Sequence, residues 1–302
     1  MATTFLDLPA DVWGKVASAL PKITTFEPPP DRFSLALAHK DLCADLFRSA
    51  TGAAWQQCRF IVGRGHEAAV AAHAGSVEHL LLFVTEANRL DPAARMLRGM
   101  NKLRNITIAV DEVAIADAAI IALLPIVAEH CASVDALCLV VPPGAQDPIC
   151  LPRLVAGNRA VGALVHRLDA LFVGRLPSAA FLRGATLSCL AFDRTFPTDM
   201  PKLPSIVRVD VLGVARPSGD PFADDAHAQR TARALPRLAT LQLYCSYHVV
   251  APHLATFLRL VKPSLKRIEC HNVIRREQVE AAWPAGMGEL ALTDVRAHAE
   301  KS

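Results

Sequence analysis

A three-position apolar signature recurs along the chain, and no other feature restricts its fold as tightly. Apolar residues stand at relative positions 1, 4 and 6 in Val77/Leu80/Leu82, Leu103/Ile106/Ile108, Val134/Leu137/Leu139, Leu168/Leu171/Val173 and Leu187/Leu190/Phe192. The pattern continues through Ile206/Val209/Val211, Leu238/Leu241/Leu243, Leu265/Ile268/Cys270 and Met287/Leu290/Leu292, with starts 19 to 34 residues apart. In a chain that is 52% hydrophobic one such triplet is chance, but nine at this spacing define a repeat. Side chains alternate along a strand with period two, so positions 4 and 6 share one face and are expected to point into a common core. Positions 3, 5 and 7 then face away from it.

The segments between triplets carry a different period. From Glu112 to Cys131, the residues Val113, Ala116, Ile120, Leu123, Leu124 and Val127 follow helical spacing. Strand, helix, strand at this period predicts an α/β solenoid with a parallel sheet, outer helices and right-handed crossovers. Across about residues 75 to 295 the pattern resembles the leucine-rich-repeat family, which implies a horseshoe for residues 59–302. The match is degenerate: the family's asparagine at position 9 is replaced by Thr85, Asp111, Pro142, Leu176, Thr195, Val214, Ser246, Val273 and Val295. Uneven curvature is the expected result. The stretch Pro217 to Ala228, rich in Pro, Gly and Asp, reads as a solvent-exposed excursion.

The first residues read Leu8-Pro9-Ala10-Asp11-Val12-Trp13, and Val16, Ala17 and Leu20 continue an apolar stripe at helical spacing. After Pro28-Pro29-Pro30, Asp31 can cap a second helix that places Leu35, Ala38, Leu42 and Leu46 on one face, and Trp55 follows. This order resembles the F-box, making residues 1–58 a small all-α segment. The resemblance implies docking to a Skp-type adaptor of cullin-RING ubiquitin ligases through Leu8, Pro9, Val12, Trp13 and Val16, with Leu35 and Leu42 in support. It also implies that the repeats hold a protein substrate. Between Leu20 and Lys40 the chain is longer than the family's usual spacing, and these helices could instead cap the exposed end of the repeats.

The remaining features narrow the function by exclusion. A net charge of +3 with acidic and basic residues intermixed gives no nucleic-acid footprint. No secretory signal is expected in Met1 to Leu8, and Ala118 to Ala128 has the length of a buried core helix, so no membrane association is expected and the location is read as intracellular, cytoplasmic or nuclear. Cys43, Cys58, Cys131, Cys138, Cys150, Cys189, Cys245 and Cys270 contain no pair at a two-residue gap, which argues against zinc fingers and for buried free thiols. Gly63-Arg64-Gly65-His66 lacks a third glycine and reads as a turn; His66, His73 and His130-Cys131 supply no converging ligand set; and Asp224-Asp225 beside His227 reads as a solvated loop. No enzyme activity, cofactor or metal is expected.

The outward positions 3, 5 and 7 are the natural contact surface of such a repeat protein. In the earlier repeats they are mostly apolar: Leu81, Phe83, Ala109, Cys138, Val140, Ala170 and Phe172. Such residues lie under a loop or helix, or form a second contact site. In the later repeats the same positions carry Arg208, Asp210, Gln242, Tyr244, Arg267, Glu269 and His271. Tyrosine and arginine among polar groups have the composition of a recognition hot spot, so this face is expected to select the partner, unless its charge serves only solubility.

Overall fold

The computed structural model describes residues 57–61, 67–72, 74–84, 90–110, 113–140, 150–176, 178–193, 195–212, 220–244, 252–271 and 290–293. The F-box-like segment, with Leu8, Pro9, Val12, Trp13, Val16, Leu35 and Leu42, lies outside them, as do Gly63 to His66 and His73. Packing divides the chain into two compact units, Met1–Ala145 and Gln146–Ser302.

In the first unit the elements are β1 (Gln57–Ile61), α1 (Glu67–Ala72), β2 (His79–Val84), α2 (Leu90–Leu97), β3 (Asn105–Val110), α3 (Val113–His130) and β4 (Ala136–Val140). The strands pair in sequence order and in parallel, β1 with β2, β2 with β3, and β3 with β4. Helix α2 packs against both α1 and α3, and α3 lies against β3. The predicted stripe on α3 is buried at Ala116, Ile120, Leu123, Leu124 and Val127, with Ala119 completing it. Among the described residues no helix is long and apolar enough to cross a membrane.

The second unit contains α4 (Cys150–Gly157), α5 (Arg159–Arg167), β5 (Ala170–Arg175), β6 (Cys189–Asp193), β7 (Arg208–Leu212), α6 (Asp225–Ala234), β8 (Thr240–Tyr244), α7 (Pro252–Val261), β9 (Arg267–His271) and β10 (Leu290–Thr293). Again each strand pairs in parallel with the next, from β5 to β10. Both units are therefore α/β arrangements on parallel sheets.

All nine triplets place positions 4 and 6 on these strands, in register within each unit, with position 1 just ahead of the strand. Leu80, Ile106 and Leu137 are lateral partners in the first unit. In the second, the row runs Leu171, Leu190, Val209, Leu241, Ile268 and Leu290. The position-1 residues from Val77 to Leu265 are all buried. Alternation is sharpest in β2, where Leu80, Leu82 and Val84 are buried and His79, Leu81 and Phe83 only half so. Strand β1 precedes the nine triplets; its Cys58 and Phe60 are the register partners of Leu80 and Leu82.

Backbone hydrogen bonds repeat with the side chains. At position 2 the carbonyls of Glu78, Arg104, Asp169, Ser188, Val207 and Ala239 each accept two N–H groups, from positions 2 and 3 of the following repeat, at 2.8–3.1 Å. Ahead of position 1 a tight turn recurs, with the N–H of Val77, Leu103, Val134, Ile206 and Leu238 donating to the carbonyl three residues back. Those acceptor residues, Ala74, Met100, Cys131, Leu203 and Leu235, are buried and add an apolar position to the repeat. The 19-residue repeat that leads into β6 leaves only residues 176–188 for the return, which contain no full helix among the described residues. It holds one 3-10 turn, Ala180–Leu182, closed by Gly184 at φ 84 in the type II position, with the Ala185 N–H donating to Leu182 O (2.9 Å).

Within the stretch Pro217 to Ala228 the described residues begin at Asp220; Ala223 to Ala226 are exposed, as expected, but residues on either side of them are not. Asp220, Phe222, His227 and Ala228 are buried. The cause is an aromatic cluster. No helix connects β6 to β7 among the described residues; Phe196 from that connection stacks on Phe222 (centroids 4.7 Å, planes 9° apart) and meets Phe192 edge-on at 4.9 Å. Phe257 of α7 closes the group at 4.9 Å from Phe222. Asp220 then ties the segment down, one carboxylate oxygen accepting from the Phe222 N–H and the other from the His253 N–H, each at 3.0 Å. Composition alone signalled a loop because Pro, Gly and Asp outnumber the single phenylalanine that anchors it.

Phe222→Ala removes the ring at the centre of this cluster and is expected to cost about 3–5 kcal/mol of stability. Urea unfolding followed by circular dichroism measures the cost. A loss well under 1 kcal/mol would mean that residues 220–222 are not part of the core.

Candidate functional site

On the face opposite positions 4 and 6, three neighbouring strands of the second unit carry a continuous polar network. Arg208 and Asp210 are two residues apart on β7, so both side chains leave the same face. The Arg208 guanidinium grips the carboxylate in two places, Nε to Oδ1 and Nη2 to Oδ2, each at 2.9 Å. Arg267 and Glu269 repeat the arrangement on β9, with Nε to Oε1 at 2.6 Å. Gln242 on β8 stands between them, because the register aligns Asp210 with Gln242 and Gln242 with Glu269. Its Oε1 accepts from Arg208 Nη2 (2.8 Å), and its Nε2 donates to Glu269 Oε2.

Only a side chain with both a donor and an acceptor can serve both neighbours. A glutamate at 242 would set a carboxylate against Glu269, and a lysine would have nothing to offer Arg208. The carboxylates are the sunken members of the network: 5% of the Asp210 side chain and 12% of the Glu269 side chain are exposed, against 42% for Arg208 and 60% for Arg267. Burial of a carboxylate is tolerated where a charged partner and hydrogen bonds replace water, which the arginines supply. The hydrogen bond to Asp210, in turn, raises the Arg208 pKa above its ordinary value.

Five of the seven residues expected on this face are thus joined in one network. Tyr244 and His271 occupy the next row, in register with Leu212 and Thr293 respectively. The apolar outward residues divide: Ala109 and Cys138 are buried, Leu81, Phe83, Ala170 and Phe172 are half-buried, and Val140 is exposed. Burial pushes the Cys138 thiol up to about 12, an effect that a Thr107 hydrogen bond opposes. Cys189, beside Arg208 in register, is pushed up to about 11, chiefly by burial and then by Asp210. Both are therefore protonated, unreactive thiols near neutral pH. Sequence reading passed over a second polar link in the first unit. With its amide oxygen accepting from His79 Nδ1 (2.9 Å), Asn105 donates to Asp135 Oδ1 (3.0 Å) and Arg104 O (3.2 Å).

Asp224 and Asp225 are exposed, as expected, but they open helix α6 rather than form a loop, and His227 beside them is buried. Asp224 Oδ1 accepts the His227 N–H (2.6 Å) and so caps α6. The buried His227 ring accepts from the Ala223 N–H at Nδ1 (3.1 Å), which leaves Nε2 to donate to Pro197 O (3.0 Å). Its tautomer is fixed by structure and neither nitrogen is open to a substrate. Asp225 pairs with His253 Nδ1 of α7 at 2.8 Å. Cys131 donates its thiol to Leu97 O (3.4 Å) and is buried, whereas the adjacent His130 is exposed. Among the described residues no three His, Cys, Asp or Glu side chains converge as a metal site requires.

A scan against protein-family models finds no match to the chain, and a search of curated proteins finds none either.

Two measurements check this geometry. Arg208→Ala leaves the sunken Asp210 without its charged partner and is expected to cost about 2 kcal/mol, discounted for the part of the pair that water reaches. Arg267→Ala, at a more exposed pair, should cost under about 1 kcal/mol. Equal losses in urea unfolding would mean that the two pairs do not differ in burial as described.

The Asp225 hydrogen bond raises the His253 pKa above 6.5, and the hydrogen bond to His253 lowers that of Asp225 below 3.8. Their link is thus lost as pH rises through the raised histidine value or falls through the lowered aspartate value. Titration of the His253 ring protons by NMR should give a midpoint above 6.5 that drops in Asp225→Asn. An unchanged midpoint would mean that the two side chains do not pair in solution.

Proposed function

We propose that this protein is a non-enzymatic recognition subunit: a leucine-rich-repeat-like solenoid that binds a protein partner on one sheet face and, through residues 1–58, a Skp-type adaptor of a ubiquitin ligase. The observation that carries the first half is the Arg208/Asp210/Gln242/Glu269/Arg267 network. A purely structural strand face on three adjacent strands could be apolar at lower cost, because a buried ion pair is often no better than packed hydrocarbon of the same volume. Here instead the carboxylates are sunk and the guanidiniums stay at the surface, an arrangement suited to presenting fixed donors to a partner.

Solenoid geometry is proposed on the same footing. Nine strand-bearing triplets, a position-2 carbonyl shared by two following N–H groups, and a turn ahead of position 1 are what stacked, nearly equivalent units produce. The second half rests on the Leu8 to Trp13 motif and its order before the repeats. A receptor built this way performs no chemistry; it raises the concentration of a captured protein near the ligase. In a second reading, the N-terminal helices cap the repeats and the protein is an interaction scaffold with no ubiquitin role.

A pull-down of the full chain with a purified Skp-type adaptor separates the two readings. Retention that is lost when Leu8 and Trp13 are both changed to alanine, with unfolding behaviour preserved, is the expected result. A well-folded full chain that retains no adaptor would leave only the scaffold.

A further inference from the structure

The polar network also indicates what kind of partner it can hold, an inference that rests on the proposal that this face is the recognition surface. The bonds within the network use Nε and Nη2 of Arg208 and Nε of Arg267. The described bonds leave Nη1 of Arg208 and the terminal nitrogens of Arg267 uncommitted, on side chains that are 42% and 60% exposed. The two arginines lie in one lateral row, separated only by Thr240. Two strand spacings put them roughly 10 Å apart.

Each guanidinium is held at its inner edge by a sunken carboxylate, so its outer edge is fixed before any partner arrives. Ordering a free arginine on binding costs about 0.5–1.5 kcal/mol, and here much of that ordering has already occurred. Planar, fixed N–H donors match a carboxylate better than any neutral acceptor. We infer that the Arg208–Thr240–Arg267 row receives the carboxylates of an acidic segment of a protein partner.

Carboxylate is favoured over phosphate by the charge beneath the row. Asp210 and Glu269 balance the two arginines, so an incoming group meets two positive edges backed by two negative charges. A singly charged carboxylate gains the hydrogen bonds with modest repulsion. A phosphate, at about −1.5 to −2, must shed a more strongly held hydration shell, and a site whose charges cancel overall offers little net attraction to offset that cost.

The test uses the purified full chain and three fluorescently labelled peptides of equal length: glutamate-rich, its glutamine-rich counterpart, and one carrying phosphoserine. Fluorescence anisotropy should show the glutamate peptide binding at least about ten-fold more tightly than the glutamine peptide, with affinity falling as salt is added. Arg267→Gln, chosen because that side chain is the more exposed, should weaken glutamate binding about ten-fold while leaving the thermal midpoint within a few degrees of the parent; Arg267→Lys should restore part of it.

Equal binding of glutamate and glutamine peptides, both lost in Arg267→Gln, would overturn acid recognition while leaving the face as a recognition site. Glutamate binding that survives Arg267→Gln undiminished would overturn the inference and remove its support from the face reading. Failure of the glutamate peptide to bind, or tighter binding of the phosphoserine peptide, would equally overturn the inference.

Discussion

The interaction on which each unit depends is a shared acceptor. A single carbonyl at the second position of one repeat takes N–H groups from the second and third positions of the next. Because both donors belong to the next repeat, the bond fixes the relative height of the two strands, and with it the lateral partners of every residue that follows. Leu171 meets Leu190 and Asp210 meets Gln242 for the same reason. Once height is fixed, alternation decides which side chains reach the core and which reach the open face.

That constraint explains how the polar network can exist. Asp210, Gln242 and Glu269 come from strands separated by returns of quite different length, yet they align because register is set at the start of each strand rather than by the return. The network in turn imposes a division of labour. The middle strand must offer a donor on one side and an acceptor on the other, and the outer strands must each carry an arginine two residues before the acid. Such a cluster is neutral as a whole and polarised from its floor to its surface.

Much of the strand placement was legible in the sequence, because position 1, 4 and 6 side chains are removed from water and selection for burial leaves a plain apolar pattern. The seven outward residues of the later repeats could be named for the same reason, by parity. What the pattern could not show was contact: nothing in the string of letters says that Gln242 bridges two ion pairs or that Asp210 is sunk. β1 escaped because Trp55, Cys58 and Phe60 keep the spacing with no aliphatic residue among them, whereas each of the nine triplets has leucine, isoleucine or valine at position 4. The segment around Phe222 was misread because its burial is supplied by Phe196 and Phe257, each more than twenty residues away along the chain.

Unequal repeat length has an evolutionary corollary. Since a return can be a helix, a 3-10 turn or an irregular stretch without disturbing strand height, insertions and deletions there are nearly silent for the open face. A single residue gained inside a strand acts quite differently: it would rotate Arg208 or Glu269 into the hydrocarbon layer and bring leucine to the surface. Drift in this chain is therefore channelled. Its length can wander in the connections while its strands remain frame-locked, and a lineage could alter what the face recognises by point substitution alone.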